Sequence, residues 1–188
     1  EQFRSVNSLP RDISLFTVGE DIYASATPSE EVSSLRTSTA EIETFLVDNA
    51  ASKDVAVGGY DAYEVSFTLK PQFEGKTKVT LCNACGEKFS LEFDTENMTV
   101  LADRSESGKM TRIKSFVLMP AAPLGLCNSS DGYDVDVFVD KCSVEVFVDG
   151  GRIAMTNLVF PSESFDNIVF ESTGESEISN MFIHKIGK

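Results

Sequence analysis

Polar and apolar positions alternate with a period of two along much of this chain. From residue 135 to 151 it reads VDVFVDKCSVEVFVDGG. Valines stand at 135, 137 and 139 and again at 144, 146 and 148, with Asp136, Phe138, Glu145 and Phe147 between them. Successive side chains of a strand leave on opposite faces, so the valines share one face and the acids and phenylalanines the other. If residues 140–143 connect two strands, Val139 sits opposite Val144, Phe138 opposite Glu145, and Asp136 opposite Phe147. The valine face suits packing on a second sheet. The mixed face has two readings. Carboxylates beside aromatic area suit a sugar, whose hydroxyls need acceptors and whose C–H faces need a flat apolar surface. A sheet with phenylalanines at its centre and acids at its rim looks the same.

Similar segments recur: RDISLFTV (11–18), AEIETFLV (40–47), AYEVSFTL (62–69), KVTLCNA (78–84), FSLEFDT (89–95), MTVLADR (98–104), TRIKSFVLM (111–119), RIAMTNLVF (152–160), NIVFES (167–172) and ISNMFIHKI (178–186). Glycine-bearing turns separate them, at Gly58-Gly59, Gly86, Gly108, Asp131-Gly132, Gly150-Gly151 and Gly174. Many short strands with such turns predict an all-β fold, a two-sheet antiparallel β-sandwich of the lectin-like jelly-roll kind. One stretch, TPSEEVSSLR (27–36), predicts a helix, with Thr27 or Ser29 as cap and acids in the first turn. No repeat, low-complexity tract or linker interrupts the chain, so residues 1–188 are expected to form a single domain.

The charge narrows the function classes. There are 30 acidic and 16 basic residues, a net charge of −14. That balance speaks against nucleic acid and anionic membrane surfaces as partners, since both reward basic patches. No apolar run approaches the roughly 18 residues of a membrane helix. The start, EQFRSVNSLPRDISL, lacks the order of a secretory leader and reads as the interior of a longer protein.

Candidate chemistry is sparse. Cys82 and Cys85 form one C-x-x-C pair, and Cys127 and Cys142 stand apart. One pair without a second is thin for zinc, and disulfides or free thiols remain open. No metal or other cofactor is expected. The single histidine, His184, alternates with Phe182 and Ile186 on the last strand and reads as structural. SSDGYDVD (129–136) gathers aspartates without the spacing of an EF-hand calcium loop. NMT at Asn97 and NSS at Asn128 are glycosylation sequons that matter only in a eukaryotic secretory host. Acids are so numerous that some pair always lies at glycosidase spacing, and nothing singles one out.

Four stretches in order, SLPRDISL (8–15), YASATPSEEVSSLR (23–36), LADRSESG (101–108) and FVDKCSVEVFVDGGRIAMTNLVFP (138–161), resemble the C-terminal β-sandwich of glycoside hydrolase family 32. Those enzymes are the invertases, inulinases and levanases. The pattern has a Leu-Pro-Arg strand, a P-x-x-E-L-x-x-L-R stretch, an Asp-Arg-Ser corner and a V-E-V-F hairpin followed by Phe-Pro. In this chain Lys141 replaces a common Arg, Cys142 a usual Ser, and His184 lies near the place of a Trp. The resemblance implies that catalysis belongs to an N-terminal β-propeller, the expected partner, whose motifs are missing here: Arg11-Asp12 is followed by Ile13, and there is no Trp. No residue of this chain is therefore expected to be catalytic. The resemblance implies a secreted, periplasmic or cell-surface protein and two roles for the sandwich. It braces the propeller, with Asp103, Arg104 and Glu145 in a buried or interface ion pair, or it binds fructan or terminal fructose like the related family 66 carbohydrate-binding modules. In the second case Asp103, Arg104 and Glu145 would contact the sugar. An unrelated lectin-like adhesion sandwich is the remaining reading.

Overall fold

The computed structural model describes residues 7–109, 121–128 and 130–187. Two antiparallel sheets stack face to face. The smaller has six strands in the order β10 (Ala122–Pro123), β9 (Thr99–Asp103), β8 (Lys88–Asp94), β7 (Lys76–Cys82), β14 (Asn167–Ser172) and β5 (Lys53–Ala56). The larger has seven: β13 (Ile153–Leu158), β12 (Ser143–Val148), β11 (Tyr133–Asp140), β6 (Tyr63–Pro71), β15 (Glu175–Ile186) and β3 (Arg36–Ile42), with β4 (Phe45–Asp48) also on β15. A separate hairpin, β1 (Arg11–Val18) and β2 (Asp21–Pro28), precedes both.

Side-chain parity builds the core. Val65, Phe67 and Leu69 of β6 join the six valines of β11 and β12 on one side, and Val79, Leu81, Phe89, Leu91, Phe93, Ile168 and Phe170 face them from the other. Phe67 and Phe170 meet edge to face at 5.5 Å across the gap between the sheets, a favoured geometry for aromatic pairs. The β11–β12 register pairs Val139 with Val144, Phe138 with Glu145 and Asp136 with Phe147, as the alternation predicts. Pairing runs one step further, to Asp140 and Ser143, which leaves only Lys141 and Cys142 in the turn.

Elsewhere the local pattern misleads. The expected helix at 27–36 is a strand end followed by a six-residue 3₁₀ turn, Glu30–Leu35. Pro28 closes β2 in an extended conformation, and Ser29 stands at the N-cap without a side-chain capping bond; its hydroxyl reaches Asp12 at 3.4 Å instead. Six residues are too few to sustain an α-helix without a cap. The single strand expected over 40–47 is two, β3 and β4, which pair with opposite ends of β15. Between them β15 shifts register against β6 after Ser179, and Asn180 takes a positive φ of 50°. β2 and β5 carried no clear alternation; of β5 only Val55 is buried. The strand expected at 111–119 lies outside the described residues.

The outward face of the larger sheet is covered at its centre. Val32 of the 3₁₀ turn packs on Phe138 and Phe147, with Leu9, Ala154 and Ile186 around them. The lead-in segment and the first hairpin thus strap over the sheet that the valines hold from beneath.

Candidate functional site

Glu145 projects from β12 away from the core, yet it is only 4% exposed. The strap explains this. The Leu9 amide donates to Oε1 at 2.8 Å, and Nη2 of Arg11 donates to Oε2 at 2.5 Å. The Thr156 hydroxyl approaches Oε2 at 3.4 Å. The Arg11 guanidinium lies over the Phe147 ring, 5.0 Å from its centroid. A carboxylate taken out of water needs such compensation, because an unpaired buried charge is costly. Glu145, Phe138 and Phe147 of this face are therefore covered by the lead-in segment and the 3₁₀ turn, while Asp136 stays half-buried.

A second lock lies one strand beyond β11. Glu64 of β6 is 1% exposed. It accepts Nε and Nη2 of Arg36 at 2.7 and 2.6 Å, the two-pronged geometry that suits guanidinium and carboxylate. The neighbouring His184 shares a 2.8 Å hydrogen bond between its Nδ1 and the Thr39 hydroxyl and stacks on Phe182. Burial pulls the His184 pKa down, and the Arg36 charge adds to this. Asp136 sits between the two locks. Burial pushes its carboxyl up to about 6, Glu64 reinforces the shift, and Arg36 opposes it.

Asp103 and Arg104 lie elsewhere. Val100 and Ala102 of β9 point into the core, so Asp103 leaves the opposite face of the smaller sheet. Glu145 leaves the outer face of the larger one, so the structure does not gather the three predicted sugar contacts into one place. Asp103 Oδ1 accepts the Ser105 amide at 2.8 Å, and the Arg104 carbonyl accepts the Ser107 amide at 3.1 Å and its hydroxyl at 2.8 Å. These bonds shape the corner that delivers Gly108 to Phe160. There the Phe160 amide donates to Ser107 and the Lys109 amide to Phe160. The cation on Glu145 is Arg11, not Arg104.

Signature stretches thus meet one another at two places: Leu9 and Arg11 clasp Glu145, and the Asp103 corner reaches the backbone at Phe160. Arg36 clasps Glu64, which lies outside those stretches. Sequence reading marked Glu145 and missed its partner, 134 residues away. The available signal was that both belong to stretches that match the family pattern, and that an acid flanked by core valines needs a cation. Of the aspartates in the 129–136 stretch, Asp134 accepts the Thr68 hydroxyl at 2.8 Å and Asp131 the Ser130 hydroxyl at 3.4 Å; Asp149, beyond the stretch, accepts the amides of Asn128 and Asp134. All four cysteines are unbridged. Among the described residues no three His, Cys, Asp or Glu side chains gather to hold a metal. A cleft of about 300 Å³ opens beside Glu145, bounded by Leu9, Phe138, Ser143 and Ile186.

Fold and site together define a β-sandwich module whose buried charges are spent on its own chain. The chain belongs to the family described as Glycosyl hydrolases family 32 C terminal, whose model matches residues 31–185. It is 26% identical to a levanase of Bacillus subtilis (strain 168) over 190 residues, covering 99% of this chain and 28% of the levanase. It is 25% identical over 176 residues to an extracellular exo-inulinase of Aspergillus awamori, covering 92% of this chain and 32% of that protein. The crystal structure of the Aspergillus awamori exo-inulinase shares the fold, with a TM-score of 0.75 at 24% identity over 96% of this chain and 36% of that one. The chain spans about a third of the length of these relatives.

Proposed function

We propose that the chain is the non-catalytic C-terminal sandwich, formed as one domain by residues 1–188, of a β-fructosidase acting on sucrose, levan or inulin. Its role is to brace an N-terminal β-propeller that carries the chemistry. The observation that carries this reading is the Glu145–Arg11–Leu9 clasp: the marked acid of the family signature is used to seat the lead-in segment. The relatives named levanase and extracellular exo-inulinase support the substrate class and a location outside the cytoplasm. On this reading the pure chain hydrolyses none of sucrose, levan and inulin, as measured by released reducing sugar. Release of fructose by the pure chain overturns it.

A second reading has one observation in its favour. The cleft beside Glu145 joins a carboxylate to the apolar surfaces of Phe138 and Ile186, the pairing a fructose ring requires. Calorimetric titration with fructose, sucrose and levan oligomers separates the two. Bracing predicts no heat of binding at millimolar sugar. Saturable binding that Glu145→Gln weakens selects the fructose site.

A further inference from the structure

We propose that Asp131-Gly132 is a site of spontaneous covalent modification, where the chain converts to a β-aspartyl linkage through a cyclic imide, and that the fold protects Asp149-Gly150 from the same reaction. These are the two Asp-Gly pairs of the sequence, and it holds no Asn-Gly. The chemistry needs only water. The glycine amide nitrogen attacks Cγ of the preceding aspartic acid and forms a C–N bond. The amide proton and the carboxyl hydroxyl leave together as water. A second water then opens the imide. Cleavage of the Cγ–N bond restores aspartate; cleavage of the bond to the main-chain carbonyl leaves the chain running through Cγ, one carbon longer. Glycine suits the ring closure because it has no Cβ to obstruct it.

The two pairs stand in opposite surroundings. Asp149 is half-buried in the β12–β13 turn, with φ of 48°. Its Oδ2 accepts the Asn128 amide at 2.7 Å and its Oδ1 the Asp134 amide at 3.1 Å. Its own amide donates to the Asp134 carbonyl at 2.8 Å. Both carboxylate oxygens are thus committed to other segments, and both bonds must break before Cγ can turn to the Gly150 nitrogen. Burial raises the Asp149 carboxyl, which leaves more of it in the protonated form the reaction uses. Position, not protonation, is what protects it.

Asp131 is exposed. Its carboxylate accepts the hydroxyl of its neighbour Ser130 at 3.4 Å, and the Ser130 amide reaches the Asn128 side chain at 3.5 Å. Among the described residues, nothing outside this loop holds 130 or 131. Asp131 can therefore turn toward its glycine by moving solvent-exposed chain, where change is best tolerated. The consequence falls on β11. Gly132 cannot retreat, since a Cβ there would stand 2.9 Å from the Leu69 carbonyl oxygen. Tyr133, which begins β11, is buried and stacks on Phe93 at 6.2 Å. The lengthened chain must bulge at 131 or loosen the first residues of this strand.

The test ages the chain in mildly acidic buffer made with water enriched in heavy oxygen. Digestion and electron-transfer mass spectrometry then distinguish α- from β-aspartyl peptides. The expected product is β-aspartyl at 131 carrying one heavy oxygen. It should form about tenfold or more faster than at 149, the least that one charge-assisted hydrogen bond on Asp149 is worth. In concentrated urea the two sites should react at similar rates, because the clasp on Asp149 is gone. Asp131→Asn should speed the conversion, with ammonia leaving in place of water, and Asp131→Glu should stop it, since its ring is one atom larger. Amide exchange in the aged chain should rise first at Tyr133 and Asp134. No β-aspartyl at 131, or product there without heavy oxygen, overturns the modification site. Equal rates at 131 and 149 in the folded chain, or a difference that persists in urea, overturn protection by the fold.

Discussion

At the residue scale, the buried carboxylates carry the largest consequences. Glu145 is closed in by one amide and one guanidinium. Glu145→Ala leaves Arg11 and the Leu9 amide without their acceptor inside a covered face. Breaking a fully buried pair costs about 3–5 kcal/mol, and the 19% exposure of the Arg11 side chain reduces that to about 2–3 kcal/mol. Urea unfolding should show a lower midpoint at unchanged slope. Glu145→Gln keeps an acceptor for Leu9 and should cost about 1 kcal/mol. Equal losses for the two variants would mean that the charge is what matters and the amide bond is not.

Asp136 makes the opposite kind of contribution. Its carboxyl titrates at about 6 in the folded chain against an ordinary 3.8, because burial disfavours the anion. A raised carboxyl favours folding while protonated. That contribution is whole below about pH 4 and lost as pH rises through 6. Asp136→Asn should therefore leave stability unchanged at pH 4 and raise it by about 2–3 kcal/mol at pH 8. His184 shifts the other way, its neutral form favoured and its contribution lost as pH falls. Comparing variant with parent at each pH cancels the His184 effect. A variant no more stable than its parent at pH 8 would show that Asp136 is adequately solvated or paired.

At the scale of elements, the strap depends on one close approach. Gly151 in the β12–β13 turn has φ of +75°, and a Cβ there would run into the Ala26 carbonyl of β2. Gly151→Ala should therefore push the hairpin off the turn as well as strain the backbone, at a cost of about 1–2 kcal/mol. Hydrogen exchange gives a specific signature: the Ala26 amide loses protection while the amides of β11 and β12 keep theirs. The elements differ in how legible they were. The β11–β12 hairpin could be registered from its letters because its alternation is strict and one face is wholly core. The segment at 27–36 read as a helix because a serine, two glutamates and a spaced Val-Leu pair mimic a helix start. Its true role, lowering Val32 onto Phe138 and Phe147, is set by a sheet more than 100 residues later. The same distance in sequence hid the Arg11–Glu145 and Arg36–Glu64 pairs. Periodicity marks a residue's face and says nothing of what covers that face. Asp103 and Arg104 were grouped with Glu145 by resemblance, and only the parity of β9 against β12 reveals that two different sheets carry them.

At the scale of the whole molecule, charge and the apolar hairpin face act against each other. The chain carries a net −14, so its acids repel each other across the surface and between copies. The ion pairs described involve Arg11, Arg36, Lys76 and Lys88, too few to offset that excess. The carboxylates of the two guanidinium locks are buried, so these pairs feel added salt less than the surface charges do. Raising the salt from 0.01 to 0.15 M shortens the screening length from about 30 to about 8 Å. Two effects should follow at pH 8. The thermal midpoint of the isolated chain should rise by a few degrees as long-range repulsion is screened. Ile13, Leu15 and Ile22 are exposed on one face of the β1–β2 hairpin, and association of copies through them should strengthen as well, since like charge no longer holds the copies apart. Sedimentation at both salt concentrations, with and without the Leu15→Asp and Ile22→Asp substitutions, separates the terms. The variant should show the rise in midpoint without the association. A midpoint that falls with salt would show instead that surface ion pairs outweigh the net charge.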